Sequence, residues 1–197
     1  MPKGIPLTEE EQSRRRREIF QSAVHLFVEK GFNETSMREI AEAAGIGKST
    51  LYDYFATKDD ILLSVVEEEV QNLTTKADKI SQQPIETVQK LRQIFFEYMD
   101  YLAANEDFYL KLSLEVQRLA LNSLARIQKK RYAYQDVIRG VIESGIQEGS
   151  LRPTDPLLAT RVILAALSPA VYTTRPCNAR EQMMENAFSL IMTGLKA

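Results

Sequence analysis

The chain has 197 residues, 44% apolar and 26% charged, with a formal charge of −2, which excludes a disordered chain and fits one domain or two small ones. A single cysteine, Cys177, and a single histidine, His25, exclude a disulfide framework, a Cys/His zinc site and a histidine-based catalytic triad. Apolar stretches such as Val162 to Leu167 are far too short to cross a bilayer, and the opening MPKGIPLTEEEQ lacks the apolar segment of a secretory leader.

Helical periodicity runs through the chain, and no period-two alternation or Asn-Gly or Asp-Gly hairpin turn interrupts it. Thr8 and Glu11 form a capping-box pattern that opens a first helix, with Ile19, Phe20, Ala23, Val24 and Phe27 on its apolar face. His25 lies one position off that face, which predicts a structural role. Gly31 stands where a C-cap glycine belongs, with Phe32 able to fold back onto the last turn. Ser36 and Glu39 repeat the box and start a short helix, Met37 to Ala44, which Gly45 ends in the left-handed conformation. A second short helix spans Lys48 to Phe55. Thr57 and Asp60 then open a longer one that buries Ile61, Leu62, Val65, Val66 and Val70.

Beyond the break at Ser81-Gln82-Gln83-Pro84, the pattern predicts helices over Ile85 to Ala104, Phe108 to Leu121, Ser123 to Glu148, Pro156 to Val171 and Ala179 to Leu195. Pro169 is expected to bend the fourth of these, Thr173 to Asn178 to form a loop, and Cys177 to be unremarkable within it. The reading is all-α: a helix-turn-helix domain over residues 1–70, and a helical domain over residues 71–197.

Charge is uneven along the chain. Residues 12–58 carry eight basic and six acidic side chains, whereas residues 61–197 balance at 16 of each sign. The run Arg14 to Arg17 taken alone reads as a solvated helix face. The segment SMREIAEAAGIGKSTLYDYF, residues 36–55, is more informative, because two short helices joined by a glycine turn fit a helix-turn-helix. Ile40, Ala44, Ile46 and Leu51 are spaced to bury against the first helix, and Ala41 is small where the helices approach. Lys48, Ser49, Thr50, Tyr52 and Tyr54 then face outward as donors to phosphate oxygens and base edges. Lys58 sits in the first turn of the next helix, where the helix dipole disfavours a cation and a phosphate would offset it.

Residues 13 to about 70 resemble the DNA-binding domain of TetR-family transcriptional regulators, through GFNETSMREIAEAAGIGKSTLYDYFATKDDIL from Gly31 to Leu62. The resemblance implies an all-α fold of about nine helices. It assigns Thr35, Ser36 and Arg38 to the DNA backbone, with Arg38 able to reach a base. It places Lys48, Ser49 and Thr50 in the major groove, Tyr52 and Tyr54 on phosphates, and Lys58 on a further phosphate. Gly47 departs from the family's frequent serine, leaving the recognition helix without a side-chain cap. Asp53 departs from a frequent His, Tyr or Arg; it either points sideways, the reading adopted, or accepts from a cytosine amino group.

A single recognition helix reads few base pairs, so a homodimer on a pseudo-palindromic double-stranded operator is expected, its recognition helices roughly 34–36 Å apart. The resemblance implies that the last two helices form the dimer interface. The candidates are Leu158, Val162, Ala165 and Ala166 on one, and Met184, Ala187, Phe188 and Ile191 on the other, which also carries Met183 and Leu190. Aromatic and aliphatic residues at helical spacing in the middle helices are ordinarily core. The resemblance implies a small-molecule cavity among them, lined by Phe95, Tyr98, Met99 and Phe108 and by Tyr109, Leu112, Tyr134 and Ile138. No cofactor or metal is called for, since GxGxxG, P-loop and HExxH motifs are missing. The function read is a cytoplasmic, non-membrane DNA-binding regulator, a repressor released by a small lipophilic effector. The alternatives are a regulator with no small-molecule effector, or a helical enzyme, for which no acid–base candidate is visible.

Overall fold

The computed structural model describes residues 8–166 and 180–197. Among them the helices are α1 (Glu9–Lys30), α2 (Met37–Ala43), α3 (Lys48–Tyr54), α4 (Lys58–Ser81), α5 (Thr87–Ala104), α6 (Glu106–Gln117), α7 (Leu121–Gln147), α8 (Pro156–Ala165) and α9 (Arg180–Leu195). The only extended pairing among the described residues is an isolated antiparallel bridge between Leu151 and Lys196. No helix in this part is long and apolar enough to cross a membrane.

The N-terminal helices start where local chemistry tells them to. Thr8, Ser36 and Thr57 each accept a backbone N–H three residues on, at 3.2, 3.2 and 3.1 Å. Glu11, Glu39 and Asp60 return the bond to the cap N–H at 2.8, 2.8 and 3.0 Å. Gly31, at φ 101°, ends α1 with its N–H on Phe27 O at 3.1 Å. Phe32 then folds back, its ring centroid 4.9 Å from that of Phe27. Gly45, at φ 64°, turns the chain from α2 toward α3.

Two apolar cores result. The first gathers Ile19, Ala23 and Phe27 of α1, Ile40 of α2, Leu51 of α3, and Ile61 and Leu62 of α4, all fully buried. Burial of each larger side chain stabilises the module by about 1.5–3 kcal/mol. Phe108 and Leu112 of α6 and Ile127 of α7 extend this core. The second core joins the C-terminal half of α4 to α5, α7, α8 and α9. Where α7 meets α5, a Cβ on Gly145 would stand 2.7 Å from Thr87 and 2.8 Å from Leu151. Thr87 Oγ1 also donates to Glu148 there at 2.7 Å.

Helix α4 therefore belongs to both cores, burying Ile61 and Leu62 in the first and Leu73, Ala77 and Ile80 in the second. The boundaries differ from expectation mainly around Asn105. It ends α5 and precedes α6 at once, its Nδ2 donating back to Tyr101 O at 2.8 Å, so α6 begins at Glu106 rather than Phe108 and closes at Gln117. Helix α5 starts at Thr87 and α7 at Leu121, both without a side-chain cap bond. The described part of the expected Pro156–Val171 helix ends at Ala165. Its extension with Pro169, the Thr173 to Asn178 loop, Cys177 and the expected start at Ala179 lie outside the described residues.

Candidate DNA-binding face and effector chamber

Leu51 anchors α3 to the first core, which turns the other side chains of this two-turn helix outward. Lys48, Ser49, Tyr52 and Asp53 are exposed, and Thr50 and Tyr54 are half-buried. Lys48 Nζ lies 5.8 Å from the ring of Tyr52, one turn on, so a cation and a phenol, the latter 47% exposed, share one ridge. Gly47 caps α3 without a side-chain bond, as its identity requires.

The flanking candidates are more committed to the protein. Thr35 is only 2% exposed, and its hydroxyl donates to Gly31 O at 2.7 Å and Leu26 O at 3.3 Å. That corrects its expected role as a side-chain contact to DNA: the hydroxyl ties down the end of α1. Ser36 serves the α2 cap. Arg38 is exposed, with Nε on Glu42 Oε1 at 2.7 Å. Glu39 is held well below the usual carboxylate range, at about 2, by the Lys30 ammonium first and then by Ser36.

Lys58 answers the dipole objection without a phosphate. Its ammonium donates to Phe32 O at 2.6 Å and Asn33 O at 3.2 Å, and stands 4.8 Å from the centre of the Phe32 ring. Arg16 was hidden within a run of four arginines. Its guanidinium lies 5.9 Å from the ring centre of Phe55, the residue that ends α3. His25 is largely exposed, 3.3 Å from Glu29, so it takes no part in the core.

A cavity of about 700 Å³ opens between α4, α5, α6 and α7. Of the expected lining, Tyr98, Phe108, Tyr109 and Tyr134 border it. Phe95, Met99 and Ile138 instead fill the second core and Leu112 the first, since their register turns them between helices. The expected lining does not include Glu69, Tyr101, Arg131 and Gln135, which also border the cavity. Glu69 closes an acidic run, Glu67 to Glu69, and its signal was the spacing from Val66 to Val70 and Leu73 on one face of α4.

Tyr109 Oη donates to Tyr101 Oη at 2.9 Å, and both phenols border the cavity with Glu69. Burial raises the Glu69 carboxyl, against the lowering effect of Tyr101. Burial likewise pushes up the phenols of Tyr101, Tyr109 and Tyr134, which stay neutral at physiological pH.

On α8, Leu158 is 57% and Val162 51% exposed, with Ala165 beside them and Ala166 half-buried. On α9, Met184 and Phe188 are buried inside the protomer, which corrects their placement at an interface. The Phe188 ring lies 5.3 Å from that of Phe95 and 6.2 Å from that of Phe96. Ala187 and Ile191 are half-buried against the same core, while Leu190, at 77% exposed, points away from it.

The sequence profile of bacterial regulatory proteins of the tetR family matches residues 19–65, and that of a tetracyclin repressor-like C-terminal domain matches residues 84–172. The chain is 25% identical over 157 residues to the fatty acid metabolism regulator protein of Bacillus subtilis, covering 79% of this chain and 81% of that one. It is 26% identical over 188 residues to the transcriptional repressor KstR2 of Rhodococcus jostii, covering 93% and 92%. The crystal structure of FadR from Bacillus subtilis in complex with stearoyl-CoA superposes with a TM-score of 0.78 at 22% identity, over 90% of this chain and 98% of that one. With both profiles and the named regulators agreeing, the chain belongs to the TetR family of transcriptional regulators, DNA-binding proteins rather than enzymes.

Proposed function

We propose that the protein is a cytoplasmic repressor that works as a homodimer on a pseudo-palindromic operator and is released by a small lipophilic effector. Residues 1–70 form the DNA-reading unit, with Lys48, Ser49 and Thr50 in the major groove and Tyr52 and Tyr54 on phosphates. Residues 71–197 hold the partner protomer and, together with the end of the first unit on α4, the effector. The observation that carries this reading is shared scaffolding. Helix α4 packs Ile61 and Leu62 into the DNA-reading core and lines the chamber with Val66, Glu69 and Val70. Phe108 of α6 likewise touches both. A ligand that prefers one setting of these helices shifts the spacing of two recognition helices in a dimer, and only that difference in affinity drives release. The similarity to a fatty acid metabolism regulator, and to FadR crystallised with stearoyl-CoA, supports a lipophilic class of effector.

The test is selection of duplexes from a random pool, followed by footprinting. A two-fold symmetric protected site, weakened by a lipophilic compound that also raises the melting temperature, is the expected result. Undiminished operator binding under ligands that occupy the chamber would overturn it.

A further inference from the structure

The chamber holds one carboxylate without a cation. Among the described residues, the ion pairs of α4 use Glu67 and Lys76, and Glu69 has none. The same lining carries the phenol of Tyr101, itself held by Tyr109. Glu69 is half-buried on the cavity wall, where an ionised carboxyl costs free energy unless a partner offsets it.

The neighbouring wall is aromatic. Tyr98 and Tyr134 stack at 5.6 Å between ring centres, and Tyr101 meets Tyr109 edge-on at 5.8 Å. All four border the same cavity as Glu69. The one guanidinium on the lining, Arg131, is exposed on α7, where water screens it.

A carboxylate lacking a cation and a cluster of electron-rich rings are together the two elements that hold an organic cation in a desolvated site. Resting on the reading of this cavity as the effector chamber, we propose that it takes a lipophilic ammonium ion, with the positive centre between Glu69 and the phenol rings and the apolar tail along Val66, Val70 and Leu73. Because Glu69 stands on α4, the charge would be sensed on the helix that also enters the DNA-reading core.

The experiment uses the whole chain of residues 1–197 and three ten-carbon probes of one tail and different charge: decyltrimethylammonium, 1-decanol and decanoate, with palmitoyl-CoA as a fourth. Binding is followed by calorimetry and by tyrosine emission, which no tryptophan obscures. The ammonium probe should bind tightest, and Glu69→Gln should weaken it about tenfold while leaving decanol unchanged. The variant removes a desolvated charge and keeps the shape, so it should fold at least as well. The charge series on the unaltered protein gives an answer without it. An ammonium probe that binds no better than decanol, or equally well to Glu69→Gln, overturns the proposal. Binding of decanoate or palmitoyl-CoA alone also overturns it but leaves the chamber an effector site. Failure of all four probes would count against the effector reading itself.

Discussion

Arg126 of α7 grips Glu67 of α4 through two parallel bonds, Nε to Oε1 at 2.9 Å and Nη2 to Oε2 at 2.7 Å. One turn further along both helices, Lys130 Nζ donates to Gln71 Oε1 at 2.7 Å. This ladder sets how α4 and α7 lie beside the chamber that both of them border. Arg126→Ala should lower stability by only about 0.5–1 kcal/mol, because the pair is partly solvent-screened. It should nevertheless change operator affinity measured by fluorescence anisotropy, although the residue lies outside the DNA-reading module. An unchanged affinity would confine the ladder to a packing role.

Lys48 and Lys58 should separate cleanly. Lys48 is exposed at the start of α3, so Lys48→Ala should leave the melting temperature unchanged and reduce the salt slope of DNA binding by about 1. Lys58 holds two carbonyls of the turn after α1, so Lys58→Ala should also cost about 1.5–3 kcal/mol in urea unfolding, before any DNA is present. Equal stability of the two variants would contradict this assignment.

The exposed apolar face of α8 gives a direct test of assembly. Val162→Glu places a charge where half the side chain is already in water, so each protomer should stay folded by circular dichroism and sediment as a monomer. Phe188→Ala, by contrast, empties space beside Phe95 and Phe96 and should cost about 3–5 kcal/mol of stability. A Val162→Glu dimer would remove this face from the interface.

Glu39 predicts a specific acid limb. Its carboxyl is depressed to about 2 in the folded protein from an ordinary 4.5. The stabilisation is therefore complete above about 4.5 and disappears as pH falls toward 2. Glu39→Gln should flatten urea-unfolding stability across that window and leave the remaining pH dependence in place. An unaltered acid limb would show that Lys30 and Ser36 do not hold the carboxylate in solution.

Glu69 runs the opposite way. Its carboxyl is raised by burial, with Glu68 adding to the rise and Tyr101 opposing it. The contribution to stability is present below the ordinary carboxylate range and lost as pH climbs through the raised value. Glu69→Gln should gain stability relative to the parent at neutral pH, and the difference should vanish in acid. A loss at neutral pH would mean that the favourable effect of Tyr101 outweighs the desolvation.

The N-terminal module was legible because its signals are local. Three capping boxes and the glycines at 31 and 45 fix where helices start and stop, and Leu51 fixes which face of α3 turns inward. The chamber was legible only in part. Aromatic spacing selects Tyr98, Tyr109 and Tyr134, but it gives Phe95, Met99 and Ile138 the same weight, and only the rotation of each helix against its neighbours separates wall from core. Glu69 was missed because a carboxylate in an acidic run reads as solvated surface. Thr35 reads as a donor to DNA, and Lys58 gives no sign of its tie to Phe32, since nothing in a linear pattern shows a carbonyl arriving from another turn. Met184 and Phe188 were misplaced for a related reason: a helix that is apolar on several sides does not announce which side meets its own chain.

The bare backbone at Gly145 fixes the C-terminal end of α7. Against Thr87 and Leu151 there is no room even for a methyl group, so that end behaves as a pivot whose position is set by contact. Displacement then grows with distance along the rod, and the far end, near Leu124 and Ile127, carries both the mouth of the chamber and a strip of the DNA-reading core. A small tilt about a fixed fulcrum is thereby delivered where it can be amplified, and evolution of new ligand preferences has a hinge it need not touch.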